Sequence, residues 1–113
     1  MRVTEVALFT SDVAAASRFY RELIGQAPVA EWPGGAIYDV GDAKLLVHEQ
    51  SAALADGPPN EDHLAFSVPD LDDACRELES RGVALLVAPQ SFPWGRSAYL
   101  RDPDGRLLEL TET

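Results

Sequence analysis

An internal repeat constrains the fold of this chain more than any other feature of its sequence. Residues 5–18 read EVALFTSDVAAASR, and residues 63–76 read HLAFSVPDLDDACR. A shift of 58 positions (63 − 5) aligns Asp12 with Asp70 and also aligns Glu5 with His63. A repeat of this kind indicates that one supersecondary unit is duplicated, so the sequence predicts two similar modules.

Hydrophobic periodicity predicts the order β-α-β-β-β in each module. In the first module Asp12 is the expected N-cap of a helix over 13–24. The predicted strands of that module are 3–10, 29–32, 36–40 and 44–49. In the second module Asp70 caps a helix over 71–81. The predicted strands there are 62–68, 83–88, 97–101 and 106–111. Segment 51–61 is rich in Gly, Pro and small residues, and it is the expected linker between module one (1–50) and module two (62–113). The two modules together form one predicted domain over 1–113.

Charge and composition exclude several classes of partner. Nine basic residues against nineteen acidic ones give a net charge of −10, which repels nucleic acid and anionic membranes. No apolar run approaches the ~18 residues that span a bilayer. The N-terminus lacks the apolar segment of a secretory signal, and the single Cys75 fits a reducing compartment, so we expect a cytoplasmic protein.

Three residues are candidate ligands of a divalent metal. Glu5 and His63 head equivalent strands, and Glu109 lies in the last predicted strand. One imidazole with carboxylate oxygens suits Zn, Ni, Fe, Mn or Co, and three protein ligands leave positions open for substrate. Taken singly, each residue also fits a structural role, as a solvated edge charge or a hydrogen-bonded histidine.

Three stretches resemble the vicinal oxygen chelate superfamily, which includes glyoxalases, bleomycin-resistance proteins and extradiol dioxygenases. They are VALFTSDVAAASRFYRELIG, HLAFSVPDLDDA and SAYLRDPDGRLLEL. The resemblance implies an α+β fold in which two βαβββ modules form a half-open, barrel-like sheet that cups a metal. By the same resemblance the ligands are Glu5, His63 and Glu109, although the family most often has His at the first of these positions.

The resemblance implies a divalent-metal-dependent lyase, isomerase or dioxygenase that acts on a small oxygen-bearing substrate. Glu109 and His48 are the expected catalytic residues, with His48 as a candidate fourth ligand or base. Leu46 lies closest to the place where glyoxalases supply that ligand, and it is expected to line the substrate site. The alternative is a metal-free protein that sequesters a small-molecule drug, as the bleomycin-resistance members do. Either form is expected to be a homodimer.

The segment Phe92–Arg96 is the most pocket-like loop in the sequence. Trp94 can cover a flat substrate, and Arg96 can fix a carboxylate or an enolate oxygen. Both are therefore predicted to bind substrate. The alternative is that Trp94 fills the gap between the two predicted modules and that Arg96 offsets nearby acidic charge.

Overall fold

The computed structural model describes residues 1–50 and 58–113 and divides into two compact units. The N-terminal unit is Thr4–Asp62, and the C-terminal unit is Met1–Val3 together with His63–Thr113. Most of the predicted linker, residues 51–57, lies outside the described residues. Neither helix in the described ranges is long and apolar enough to cross a membrane.

The N-terminal unit has the predicted order of elements. Its strands and helix are β1 (Arg2–Thr10), α1 (Val13–Ile24), β2 (Ala30–Trp32), β3 (Gly35–Val40) and β4 (Ala43–Glu49). The four strands are ordered β2-β3-β4-β1, with β1 parallel to β4 and the other neighbours antiparallel. The parallel pair is possible because α1 provides the crossover between the two edges of the module.

The C-terminal unit repeats this topology. Its elements are β5 (His63–Val68), α2 (Leu71–Ser80), β6 (Val87–Phe92), β7 (Gly95–Arg101) and β8 (Leu107–Glu112). The strand order is β5-β8-β7-β6, again with the first and last strands of the module parallel. The duplicated βαβββ plan and the α+β class predicted from the sequence are therefore confirmed.

Local sequence signals account for the helix limits. The carboxylate of Asp12 accepts a hydrogen bond from the Ala15 amide at 3.0 Å, and that of Asp70 accepts one from the Asp73 amide at 3.0 Å. These N-caps satisfy amides that have no partner within the helix. Helix α1 ends at Gly25, whose φ of 77° is the left-handed conformation that glycine adopts without steric cost.

The apolar residues of α1 fall into a buried row and an exposed row. The row Ala16, Tyr20 and Ile24 packs on the core of the N-terminal unit, while Phe19 is 61% exposed and Leu23 is 68% exposed. Neighbouring positions in a helix are about 100° apart, so the second row lies beside the buried one and faces outward. In α2 one row of residues contacts the core of the C-terminal unit: Leu71, Ala74, Cys75 and Leu78.

The predicted strand over 83–88 is wrong, because the strand of that region is Val87–Phe92. The amide of Val83 donates to the carbonyl of Leu78 at 3.1 Å, so this residue closes the end of α2. Val83 and Leu85 then pack against the core as an irregular segment. The apolar run VALLV had indicated a strand, but Val83 and Leu85 are only partly buried, Leu86 is 51% exposed, and the strand begins at Val87.

Candidate metal and substrate site

In each unit, one face of the strands packs against the helix of that unit. In the C-terminal unit Phe66, Ala98, Leu100 and Leu110 contact the core beneath α2. Because strand side chains alternate between faces, His63, Ser97, Tyr99 and Glu109 share the other face. In the N-terminal unit Val6 and Leu8 pack beneath α1, so alternation places Glu5 on the face away from that helix.

His63 and Glu109 form a buried pair on the face away from α2. The Nε2 atom of His63 lies 3.1 Å from Oε1 of Glu109, and their side chains are only 6% and 7% exposed. Strand register explains the contact. His63 is opposite Leu107 and Ala65 is opposite Glu109 in the parallel β5–β8 pair, so the two side chains are diagonal neighbours on one face. The structure thus brings together two of the three predicted metal ligands within one unit.

Two further residues hold the Glu109 carboxylate. The buried Ser97 hydroxyl donates to Oε2 of Glu109 at 2.7 Å. Tyr99, directly opposite Glu109 in the β7–β8 pair, also forms a hydrogen bond with it. The Tyr99 ring meets the His63 ring edge-to-face, with centroids 5.9 Å apart. The imidazole and the carboxylate are therefore both restrained by side chains of β7.

The environment of Glu109 favours its ionised form. Burial alone would raise the pKa of this carboxyl, but hydrogen bonds from His63 and Ser97 and the charge of His63 outweigh it, so the pKa falls below its usual value of 4.5. A carboxylate accepts hydrogen bonds and does not donate them, so the proton in the pair is carried by Nε2 of His63. A buried, ionised carboxylate beside an imidazole is a chemically competent donor set for a metal ion.

Neither Ser97 nor Tyr99 was among the site residues predicted from the sequence. A usable signal was present in the turn Asp102–Gly105. The Gly105 amide donates to the Asp102 carbonyl at 2.9 Å, and this turn sets Arg101 opposite Leu107. Counting back from that pair places Tyr99 opposite Glu109 and leaves Ser97 two residues away on the same face.

The predicted pocket-like loop over 92–96 is a tight hairpin instead. Phe92 ends β6 and pairs with Gly95, which begins β7, so only Pro93 and Trp94 form the connection. The rings of Phe92 and Trp94 stack with centroids 4.8 Å apart and planes at 5°. Trp94 is 55% exposed, and its Nε1–H donates to Ser97 Oγ at 3.3 Å. The predicted substrate contact of Trp94 stays a prediction, and this geometry leaves much of the indole exposed.

Arg96 lies on the helix face of β7, on the side opposite Ser97 and Glu109. Its two terminal nitrogens each donate to Asp72 of α2 at 3.0 Å, and Nη1 is 3.6 Å from Glu112. The hydrogen bonds to Arg96 lower the pKa of Asp72. This side chain therefore ties α2 to the sheet, which gives no support to its predicted contact with substrate.

The N-terminal unit holds the other predicted site residues. Glu5 is half-buried on β1 and is paired in register with Lys44 of β4. Leu46 is opposite Ala7, and His48 is opposite Phe9. His48 is thus four residues along the sheet from Glu5, a distance of about 13 Å at 3.3 Å per residue.

His48 has its own set of neighbours at the far end of β4. Its Nδ1 is 2.8 Å from the carbonyl of Glu49, and its ring packs on Phe9 and Trp32 with centroids 5.4 and 6.4 Å away. The structure of this unit does not bring His48 to Glu5. The role of His48 as a fourth ligand or base is therefore not supported by the strand register.

Comparison with known proteins identifies the family. A family model described as the Glyoxalase/Bleomycin resistance protein/Dioxygenase superfamily matches residues 2–110. The chain is 32% identical over 112 residues to a protein named glutathione transferase FosA from Serratia marcescens, covering 96% of this chain and 78% of the relative.

Solved structures extend this likeness to the fold. A methylmalonyl-CoA epimerase from Mycobacterium tuberculosis matches with a TM-score of 0.77 and 24% identity, covering 97% of this chain and 86% of that one. A superfamily member from Vibrio splendidus 12B01 matches with a TM-score of 0.76 and 17% identity, over 99% and 98% of the two chains. The family model and the relative from Serratia marcescens together show that this chain belongs to the Glyoxalase/Bleomycin resistance protein/Dioxygenase superfamily.

Proposed function

We propose that this protein is a metal-dependent enzyme in which Glu5, His63 and Glu109 hold a divalent ion. Each of the three residues offers one ligand atom. The observation that carries the proposal is the buried His63–Glu109 pair, with Nε2 and Oε1 3.1 Å apart. That separation suits two ligands of one ion, because each would lie about 2.0–2.2 Å from the metal. Nitrogen and carboxylate donors suit Zn, Ni, Fe, Mn or Co.

The residues around the pair have distinct tasks in this proposal. A bound ion would polarise an oxygen of a small substrate and stabilise the negative charge that develops there. Ser97 and Tyr99 hold the Glu109 carboxylate, and the edge of Tyr99 restrains the ring of His63. Glu109 is ionised and buried, so it is the candidate base for a proton of the substrate.

The substrate is expected to be small and to carry oxygen atoms. Trp94 offers an exposed aromatic surface at the hairpin tip, on which a flat group can stack. Among lyase, isomerase, dioxygenase and transferase reactions, the 32% identical relative favours the transfer of glutathione to an electrophile as the first activity to assay. The epimerase structure, at 24% identity, supports the fold alone.

Metal analysis tests this proposal directly. Protein purified without chelator should contain about one divalent ion per chain, and EDTA should lower its melting temperature. At a free metal concentration of 100 Kd, binding stabilises the fold by about 2.7 kcal/mol, which corresponds to a rise of several degrees for a chain of this size. The proposal fails if no divalent metal co-purifies and Ni, Zn, Fe and Mn all leave the melting temperature unchanged.

Ligand variants locate the site. Glu5→Gln, His63→Gln and Glu109→Gln should each lower metal occupancy. Glu22→Gln is a matched control, because Glu22 is exposed on α1 and its substitution also removes one negative charge. Full occupancy in any of the three variants removes that residue from the ligand set.

A second candidate function is metal-free binding of a planar, cationic drug. It is favoured by the stacked Phe92–Trp94 pair at the surface and by the net charge of −10. Ligand titrations in EDTA, followed by Trp fluorescence, separate it from the enzyme, because sequestration requires no metal. Light scattering on the same preparation tests the expected homodimer, which both functions share.

A further inference from the structure

Ser97 lies between an exposed indole and the buried carboxylate of Glu109. Its side chain is fully buried, and its hydroxyl contacts both Trp94 Nε1 at 3.3 Å and Glu109 Oε2 at 2.7 Å. We propose that Ser97 is a positioning residue, which holds Glu109 in place and couples it to Trp94. The effect of Ser97 on metal affinity rests on the proposed function. The hydrogen-bonded link from Trp94 through Ser97 to Glu109 does not.

The chemistry of the three groups determines the direction of both hydrogen bonds. An indole nitrogen only donates, so the Ser97 oxygen must accept from Trp94. A hydroxyl has one proton, and this proton is then available for Glu109 Oε2. Each group in the chain Trp94–Ser97–Glu109 thus has one consistent role, and neighbouring hydrogen bonds in such a chain strengthen one another.

The strand pairing makes the position of Ser97 specific. Ser97 is opposite Thr111 in the β7–β8 pair, two residues from the Tyr99–Glu109 pair and on the same face. From there its hydroxyl holds Oε2, while Oε1 is directed to Nε2 of His63. Loss of the hydroxyl would remove the hydrogen bond that Ser97 donates to Oε2 and would leave the Trp94 N–H without this acceptor.

The consequence for function is a link between the protein surface and the buried pair. Trp94 is 55% exposed, whereas Glu109 is 5% exposed. A molecule that displaces the Trp94 indole would break its hydrogen bond to Ser97, and Ser97 is the residue that holds the Glu109 carboxylate. Residues that orient a metal ligand commonly change metal affinity 10–100-fold when they are replaced.

Nuclear magnetic resonance of the EDTA-treated protein tests the coupling without any metal. The chain has two tryptophans, so a Trp32→Phe background leaves one indole N–H signal, that of Trp94. Ser97→Ala should shift that signal and also the signal of the Glu109 carboxyl carbon, while Ser97→Thr should restore both. Glu109→Gln should shift the indole signal from the other end of the chain, which keeps the test valid if Ser97→Ala fails to fold.

Calorimetric titration with Zn²⁺ alone tests the effect on affinity. Ser97→Ala should weaken binding about 10–100-fold, and Ser97→Thr should retain it. Ser67→Ala is the matched control, because Ser67 is another buried strand serine on the same face, and it should leave affinity and the indole signal unchanged.

The outcomes are distinguishable. An unchanged Trp94 indole signal in both Ser97→Ala and Glu109→Gln overturns the proposed coupling. Undiminished Zn²⁺ affinity in Ser97→Ala, when the wild type binds the ion, overturns the proposed effect of Ser97 on metal binding. If neither Zn²⁺ nor any other divalent metal binds the wild type, the proposed function fails, and the two resonance shifts alone decide the role of Ser97.

Discussion

The imidazole of His63 and the carboxylate of Glu109 meet at 3.1 Å in a part of the protein where both side chains are more than nine-tenths buried. They are 46 positions apart in the chain and lie on neighbouring parallel strands. Burial of two such groups is costly unless they are paired, and here each satisfies the other. The proposed metal site rests on this pair.

Acid should destabilise the metal-free protein partly through Glu109. Because the pKa of Glu109 in the fold is below its usual 4.5, the ionised carboxylate contributes stability above that pH, and this contribution is lost as the pH falls through the folded value. Urea unfolding in EDTA at several pH values between 3 and 7 measures this. The acid-induced loss of unfolding free energy should be smaller in Glu109→Gln than in the wild type, and equal to the wild type in the exposed Glu22→Gln. An equal loss in all three proteins would contradict the prediction.

The two histidines should differ in their effect on metal binding. His63→Gln removes an atom of the buried pair, so we expect its Zn²⁺ affinity to fall at least 100-fold. His48→Gln should change affinity less than about threefold, because strand spacing places it some 13 Å from Glu5. Calorimetric titration checks both. A large loss in His48→Gln would support the fourth-ligand role predicted from the sequence.

Gly35 should not tolerate a side chain. A Cβ atom there would lie 2.5 Å from the Val47 carbonyl and 2.8 Å from the Trp32 ring. Because one of these neighbours is backbone in a paired strand, we expect Gly35→Ala to lower the free energy of unfolding by about 1–3 kcal/mol.

Gly34→Ala is the matched comparison for Gly35→Ala. Its Cβ would meet the flexible Glu49 side chain at 3.1 Å, which can move aside, so the cost should be smaller. Equal urea midpoints for the two variants would contradict this prediction, because they would show that the structure accommodates a Cβ atom at Gly35.

Arg96 and Asp72 should act as one unit in stability. Their two hydrogen bonds at 3.0 Å join β7 to α2. Arg96→Ala and Asp72→Ala should each lower the melting temperature, and the double variant should lose less than the sum of the two losses, since the same contact is removed twice. Additive losses would mean that the pair is not coupled. Unchanged metal affinity in Arg96→Ala would support a structural role.

Local signals in the chain were sufficient to predict most of the elements. The Asp12 and Asp70 caps each depend on residues close in sequence, and both are confirmed. The strand over 83–88 failed because a short apolar run has no period that distinguishes a strand from a buried irregular segment. The packing of Val83 and Leu85 beneath α2 decided that case.

The residue types of the candidate site were evident from the chain, but their neighbours were not. Duplication and the resemblance singled out Glu5, His63 and Glu109 without showing what surrounds them. The contacts of Ser97 with Glu109 and with Trp94, and the attachment of Arg96 to Asp72, depend on pairing between strands and on which face each side chain occupies. A register change of one residue would reverse those faces, so only the folded sheet decides these partners.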